Sequence, residues 1–253
     1  MATLDVTRSD RSAYHHVWII LALLIPATLL AFTPTYFNGL TFSQLPVTTL
    51  VHLHTALMVL WVLLLISQAW LIRAKQYRIH RWTGRSSFVI VPLIVLVALM
   101  LDRETLNRKP EVTTLDTRIE IFFWGQVIPF VMAWTLALMY RRRTPIHMRY
   151  MVSTVFAAGT AIVVRIIINW FAWLPGMDLA ENLDNINNIV AANGAVLLLM
   201  LLALIANDWR LGVWQSPFWL VAITTLITHI GFFTFTKTDW WMSFVLWYAG
   251  VPS

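Results

Sequence analysis

Residues 51–72 read VHLHTALMVLWVLLLISQAWLI, a run with no charged side chain. At about 1.5 Å per residue, a helix of this length covers about 30 Å, the thickness of the hydrocarbon layer of a bilayer. Leucine, isoleucine and valine occupy every side of it, so no polar face is left for water. Comparable runs follow on either side, at roughly 16–33, 86–101, 119–140, 150–173, 188–206 and 218–236. The expected fold class is therefore all-α integral membrane, a single domain over 1–253 forming a bundle of about seven transmembrane helices. Residues 240–248 are too few to span and rich in Trp, which suits an interfacial segment.

Composition agrees. Of the 253 residues, 59% are apolar and 12% charged, and mean hydropathy is +0.71; soluble domains carry about 25% charged residues. Continuous runs exclude a membrane barrel, whose strands alternate. The absence of Cys removes disulfides, thiolate metal sites, iron–sulfur clusters and covalent haem attachment. Residues 17–32 contain Pro26 and lack a small-x-small cleavage pattern, so they read as a first span rather than a signal peptide.

The net charge of +6 is a topology signal. With the N-terminus inside, the cytoplasmic segments hold twelve Lys/Arg and the outer ones five, while three acidic residues lie inside and nine outside. The positive-inside rule then puts the N-terminus in the cytoplasm and the C-terminus outside. The basic ends would attract anionic lipid at the inner face, and no nucleic-acid partner is expected.

Two stretches share an order of features. Ile79-His80 and Ile146-His147 each follow a span and a basic run and precede an Arg and another span. They suggest a parallel internal repeat, 51–101 and 119–173, related by an axis along the membrane normal. Two hairpin turns that both obey the positive-inside rule would look the same.

The pattern His54, Trp61, Gln68, Ile79-His80-Arg81-Trp82-x-Gly84-Arg85 resembles the DUF2306 family of bacterial membrane proteins. His147-Met148-Arg149-Tyr150-Met151 with Arg165 in the next span does too, although Met148 stands where that family usually has Arg. The resemblance covers residues 50–170 and implies the inner (plasma) membrane of a bacterium, but no activity. A weaker likeness is to the helical bundles of cytochrome b561, and a shared fold does not carry function.

Polar groups inside hydrocarbon are costly and therefore mark candidate sites. His54, Glu120, Gln126, Arg165, Asn169, Asn193 and His229 all fall in the outer half of their spans. Arg165 is expected about 12 Å deep, sharing a face with Asn169 four residues on. If the polar faces converge, they form one outward-facing site. Glu120 could equally touch headgroups, Asn169 and Asn193 could be interhelical glue, and His229 could be a packing histidine.

Three classes of function fit. A membrane redox protein would hold haem b between axial histidines, His54 with His229 or His80 with His147, and Arg165 would pair with a propionate. A binding or transport protein would use Arg165 to anchor a small anionic or quinone-like molecule, with His54, Asn169, Asn193 and His229 lining the site, Gln126 and Glu120 nearby, and segment 102–118 as a lid. A non-catalytic subunit or assembly factor would use its Trp-rich surface against a membrane-complex partner. A metal site has only His54, Glu120 and His229 to draw on.

Overall fold

The structure, a computed structural model, describes residues 17–38, 48–179, 182–214 and 216–250. Among the described residues the elements are helices and turns, with no strand. They are α1 (Val17–Ala22), α2 (Leu24–Phe32), α3 (Thr49–Arg73), α4 (Tyr77–Gly84), α5 (Ser87–Asn107), α6 (Thr114–Met139), α7 (Thr144–Ala157), α8 (Gly159–Trp170), α9 (Ile186–Arg210), α10 (Phe218–Phe233) and α11 (Asp239–Ala249). Counting α4–α5 and α7–α8 as single units, six stretches are long and apolar enough to cross a membrane. The first apolar run supplies a seventh, interrupted helix, and the whole is a roughly seven-helix membrane bundle.

Prolines explain the interruptions of that first helix. Pro26 has no N–H, so the Ala22 carbonyl loses its usual donor four residues on, and the helix breaks at Leu23 between α1 and α2. Pro34 deprives the Leu30 carbonyl in the same way, and the chain widens into a π-helical turn over Thr33–Phe37. Other helix ends carry ordinary signals. Thr113 and Asp116 form a capping box for α6. Thr238 caps α11, and Gly250 (φ 79°) ends it in the left-handed conformation.

The core centres on Trp61 of α3, 1% exposed. Its Nε1 donates to Thr154 Oγ1 at 3.2 Å and its ring meets Phe130 edge-on at 5.7 Å. Around it pack Leu65, Val91, Leu201 and Phe218. Lipid is as apolar as these side chains, so close packing and interhelical hydrogen bonds hold such bundles together. Glycines allow the closest approaches to α10. A Cβ on Gly125 of α6 would stand 2.3 Å from Thr228 Oγ1, and one on Gly194 of α9 would stand 2.6 Å from the His229 ring.

Two expectations are corrected. Segment 102–118 is not a lid: α5 continues to Asn107 and α6 starts at Thr114, leaving a short turn pinned by the Lys109–Asp116 ion pair. Hydropathy marks where a helix leaves the hydrocarbon, not where the helix ends, and the Glu104–Arg108 pair at i, i+4 supports the polar extension. The fifth span runs over Thr144–Trp170 rather than 150–173, which puts Arg165 about 8 Å from its near end instead of about 12 Å.

The bundle has two distinct ends. One carries the α3–α4 turn, the α6–α7 turn and the α9–α10 turn, and so His80, His147 and most arginines. The other carries the α5–α6 turn, the segment after α8 and helix α11, and so most carboxylates. Helix α11 is too short to cross. It holds Trp241 inward, with Nε1 donating to the Thr117 carbonyl at 2.6 Å, and leaves Trp240 and Trp247 exposed.

Candidate functional site

The end of α8, the start of α3 and the end of α2 meet at the carboxylate-bearing end, and Arg165 sits among them. Helical side chains lean toward the N-terminus of their own helix. Accordingly, Arg165 Nη1 donates to the Ala161 carbonyl at 3.0 Å, and the guanidinium lies back along its own helix, toward the middle of the span. It covers the Phe32 ring at 4.6 Å. Among the described residues no carboxylate pairs with it. His54 lies within range of the Arg165 charge, and its buried Nδ1 has no hydrogen-bond partner.

The rim of this site is built from the end of α2 and the π-helical turn that follows it. Trp170 Nε1 donates at 2.9 Å to the Leu30 carbonyl, the one that Pro34 leaves without a donor, and Asn169 Nδ2 donates to the Ala31 carbonyl at 3.0 Å. Tyr36 Oη and His52 Nδ1 meet at 2.9 Å. Asn169 therefore has a structural partner on the same side as Arg165. π-Helical turns are frequent at functional sites.

His229 belongs to a second group. Its Nδ1 contacts the Thr225 carbonyl at 2.7 Å and its Nε2 contacts Asn193 Nδ2 at 3.2 Å. A carbonyl only accepts, so the proton resides on Nδ1 and Nε2 accepts from the amide. The neutral ring is satisfied at both nitrogens and packs against Phe122 at 5.1 Å. Gln126 Nε2 donates to the Phe122 carbonyl of its own helix at 2.9 Å. Among the described residues, no hydrogen bond or ring contact joins His229 to His54.

His80 and His147 come together at the opposite end, within electrostatic range of each other. His147 Nδ1 is 2.7 Å from the Ala137 carbonyl, which leaves its Nε2 open. His80 lies against the Gln68 backbone with its Nδ1 unpartnered. Gln68 Nε2 donates to Thr83 Oγ1 at 2.7 Å, and a Cβ on Gly84 would stand 3.2 Å from Gln68 Oε1.

Glu120, expected at a span edge, is 7% exposed and faces Asp102 within hydrogen-bonding reach. Tyr248 joins them: its hydroxyl donates to the Leu99 carbonyl at 3.0 Å and lies beside Asp102. Burial first, then the Asp102 carboxyl, raises the Tyr248 phenol above its ordinary range. Glu120 and Asp102 thus face each other and not Arg165. Facing carboxyls hold one shared proton more readily than two negative charges. Glu120→Gln keeps a hydrogen bond to Asp102 and should melt within about 1 kcal/mol of wild type. It should also remove the protonated-carboxyl stretch from the infrared spectrum. An unchanged infrared band would show that the pair holds no such proton.

A further polar cluster had only a weak sequence signal. Arg149 and Asp208 are both wholly buried, with Arg149 Nε donating to Asp208 Oδ1 at 2.8 Å. Ser216 Oγ donates to Asp208 Oδ2 at 2.6 Å. The available clue was weak: Asp208 is an acidic residue at a strongly basic end. No family model, curated protein or solved structure matches the chain.

Proposed function

We propose that this multi-pass membrane protein binds a small anionic molecule, carboxylate- or phosphate-bearing, inside the bundle where α2, α3 and α8 meet. The observation that carries the reading is Arg165: a guanidinium cannot shed its proton, it leans back along α8 toward the middle of the span, and among the described residues no carboxylate pairs with it. An unpaired Arg costs about 2.5–3.5 kcal/mol at the centre of a span and less toward its end, a cost that a bound anion would offset. In this reading His54 supplies a hydrogen bond from its unpartnered Nδ1 and Phe32 covers the guanidinium. The basic-residue bias supports an orientation with this end outside and the His80–His147 end in the cytoplasm. The DUF2306 resemblance remains compatible with this reading and adds no activity to it.

Mass spectrometry of small molecules extracted from the purified protein tests the proposal. Wild type should carry an anionic compound that Arg165→Leu lacks, while the variant melts no lower than wild type because a costly buried charge is gone. An Arg165→Leu variant that unfolds while any bound species stays the same would make Arg165 a structural residue.

A second reading, haem b, rests on the His80–His147 juxtaposition. An imidazole oriented by an Nδ1 contact to a carbonyl is the usual posture of a metal-ligating histidine, and His147 has it. When bound, haem would supply one-electron transfer. A Soret band in protein from haem-replete cells, lost in His147→Ala, would favour this reading. A colourless sample would remove it.

A further inference from the structure

We infer that the groove between α3 and the α4–α5 corner is a binding site for one anionic phospholipid. The groove holds about 660 Å³, within the size range of about 300–1,000 Å³ typical of small-molecule sites. Its wall is apolar: Leu60, Leu63 and Leu64 of α3 and Ile90 of α5. Its mouth is polar, with Ser67, Trp82 and Arg85. From Leu60 to Ser67 the groove runs about 10 Å along α3, a direction that suits an acyl chain lying against the helix with its head at the mouth.

Charge identifies the head. Arg78, Arg81 and Arg85 stand at i, i+3 and i+7, on one face of the corner, with Trp82 beside them. All four are exposed. Among the described residues none of the three arginines has a carboxylate partner. The mouth hydroxyls are committed to their own helices: Ser67 donates to the Leu64 carbonyl at 2.8 Å, Thr83 to the Ile79 carbonyl at 2.8 Å and Ser86 to the Thr83 carbonyl at 2.7 Å. The arginines are therefore the charged donors left for a phosphate. Trp82 is 73% exposed, and Trp favours the headgroup level of a membrane. An exposed apolar wall, Arg85 at the mouth with Arg78 and Arg81 on the same face, none with a carboxylate partner among the described residues, and an interfacial Trp match a phospholipid with net negative charge. A zwitterionic headgroup would leave the arginines uncompensated.

Native mass spectrometry of the full chain, released from nanodiscs of equimolar phosphatidylglycerol and phosphatidylcholine, tests this. Wild type should retain one phosphatidylglycerol in preference to phosphatidylcholine. Arg85→Gln should reduce that preference about fivefold, the effect of one arginine near an anionic surface. Leu63→Trp fills the wall and leaves every arginine in place, and it should abolish retention of either lipid. Both sites face lipid, so both variants should fold, which their melting temperatures report. Equal retention of the two lipids by wild type overturns the proposal. So does unchanged preference in Arg85→Gln together with unchanged retention in Leu63→Trp. A dimer that Leu63→Trp dissociates would overturn it in favour of a second copy of the chain, and displacement by inorganic phosphate alone would reduce the site to an anion site without the acyl chain.

Discussion

Asp208→Ala should cost this protein about 3–5 kcal/mol, the expected penalty for breaking a buried ion pair by removing one partner. Neither Arg149 nor Asp208 has any exposed surface. The carboxylate accepts from Arg149 Nε and from Ser216 Oγ, so one substitution removes the charge that neutralises the guanidinium and strands a hydroxyl. Arg149 begins the fifth span, Asp208 ends α9, and Ser216 precedes α10, so the cluster ties three spans together at the histidine-bearing end. Yield in the monodisperse fraction and the melting temperature are the readouts. Because well-packed apolar residues often replace buried pairs without loss, Arg149→Met combined with Asp208→Leu should recover most of what Asp208→Ala loses. Normal melting of Asp208→Ala would mean that the pair is not a structural tie. Arg149 is about 24 Å along the span from Arg165. Whatever folded Asp208→Ala protein remains should therefore bind the same anion as wild type.

Gly194→Val is the second large effect. Even a Cβ at this position would stand 2.6 Å from His229 Cδ2 and 2.9 Å from Cγ, too close for any real contact. Either α9 moves off α10 or the ring rotates and gives up its bonds to Thr225 and Asn193. Overpacking typically costs about 1–3 kcal/mol, and each lost hydrogen bond adds about 1 kcal/mol. His229→Ala opens the space, so the double variant should melt above Gly194→Val alone. The two substitutions touch, and their effects should not add. Failure of His229→Ala to rescue would show that the damage arises elsewhere along α9. The same variant separates two roles of His229. A packing histidine lowers stability when removed and leaves ligand retention intact; a ligand-binding one does the reverse.

The apolar runs alone were enough to establish the membrane class and, closely, the number and position of the spans, because transfer of backbone and side chains into hydrocarbon is a local property summed along about twenty residues. Pro26 and Pro34 likewise mark, in sequence, the carbonyls that lack a donor. The partners of polar side chains were not legible. Arg165 and His54 do lie together, and so do His80 and His147. But the single convergent site expected from depth splits: His229 and Asn193 bond each other, and Glu120 faces Asp102 and Tyr248. Depth in the membrane fixes one coordinate of a side chain. Which helix it meets depends on the rotation and packing of neighbouring helices, set by contacts such as Gly125 against Thr228 and Gly194 against His229, and these exist only once the bundle has assembled. The Arg149–Asp208 clasp joins residues 59 positions apart. In the sequence it reads as two unremarkable charges near span ends, and only tertiary packing makes them a buried pair.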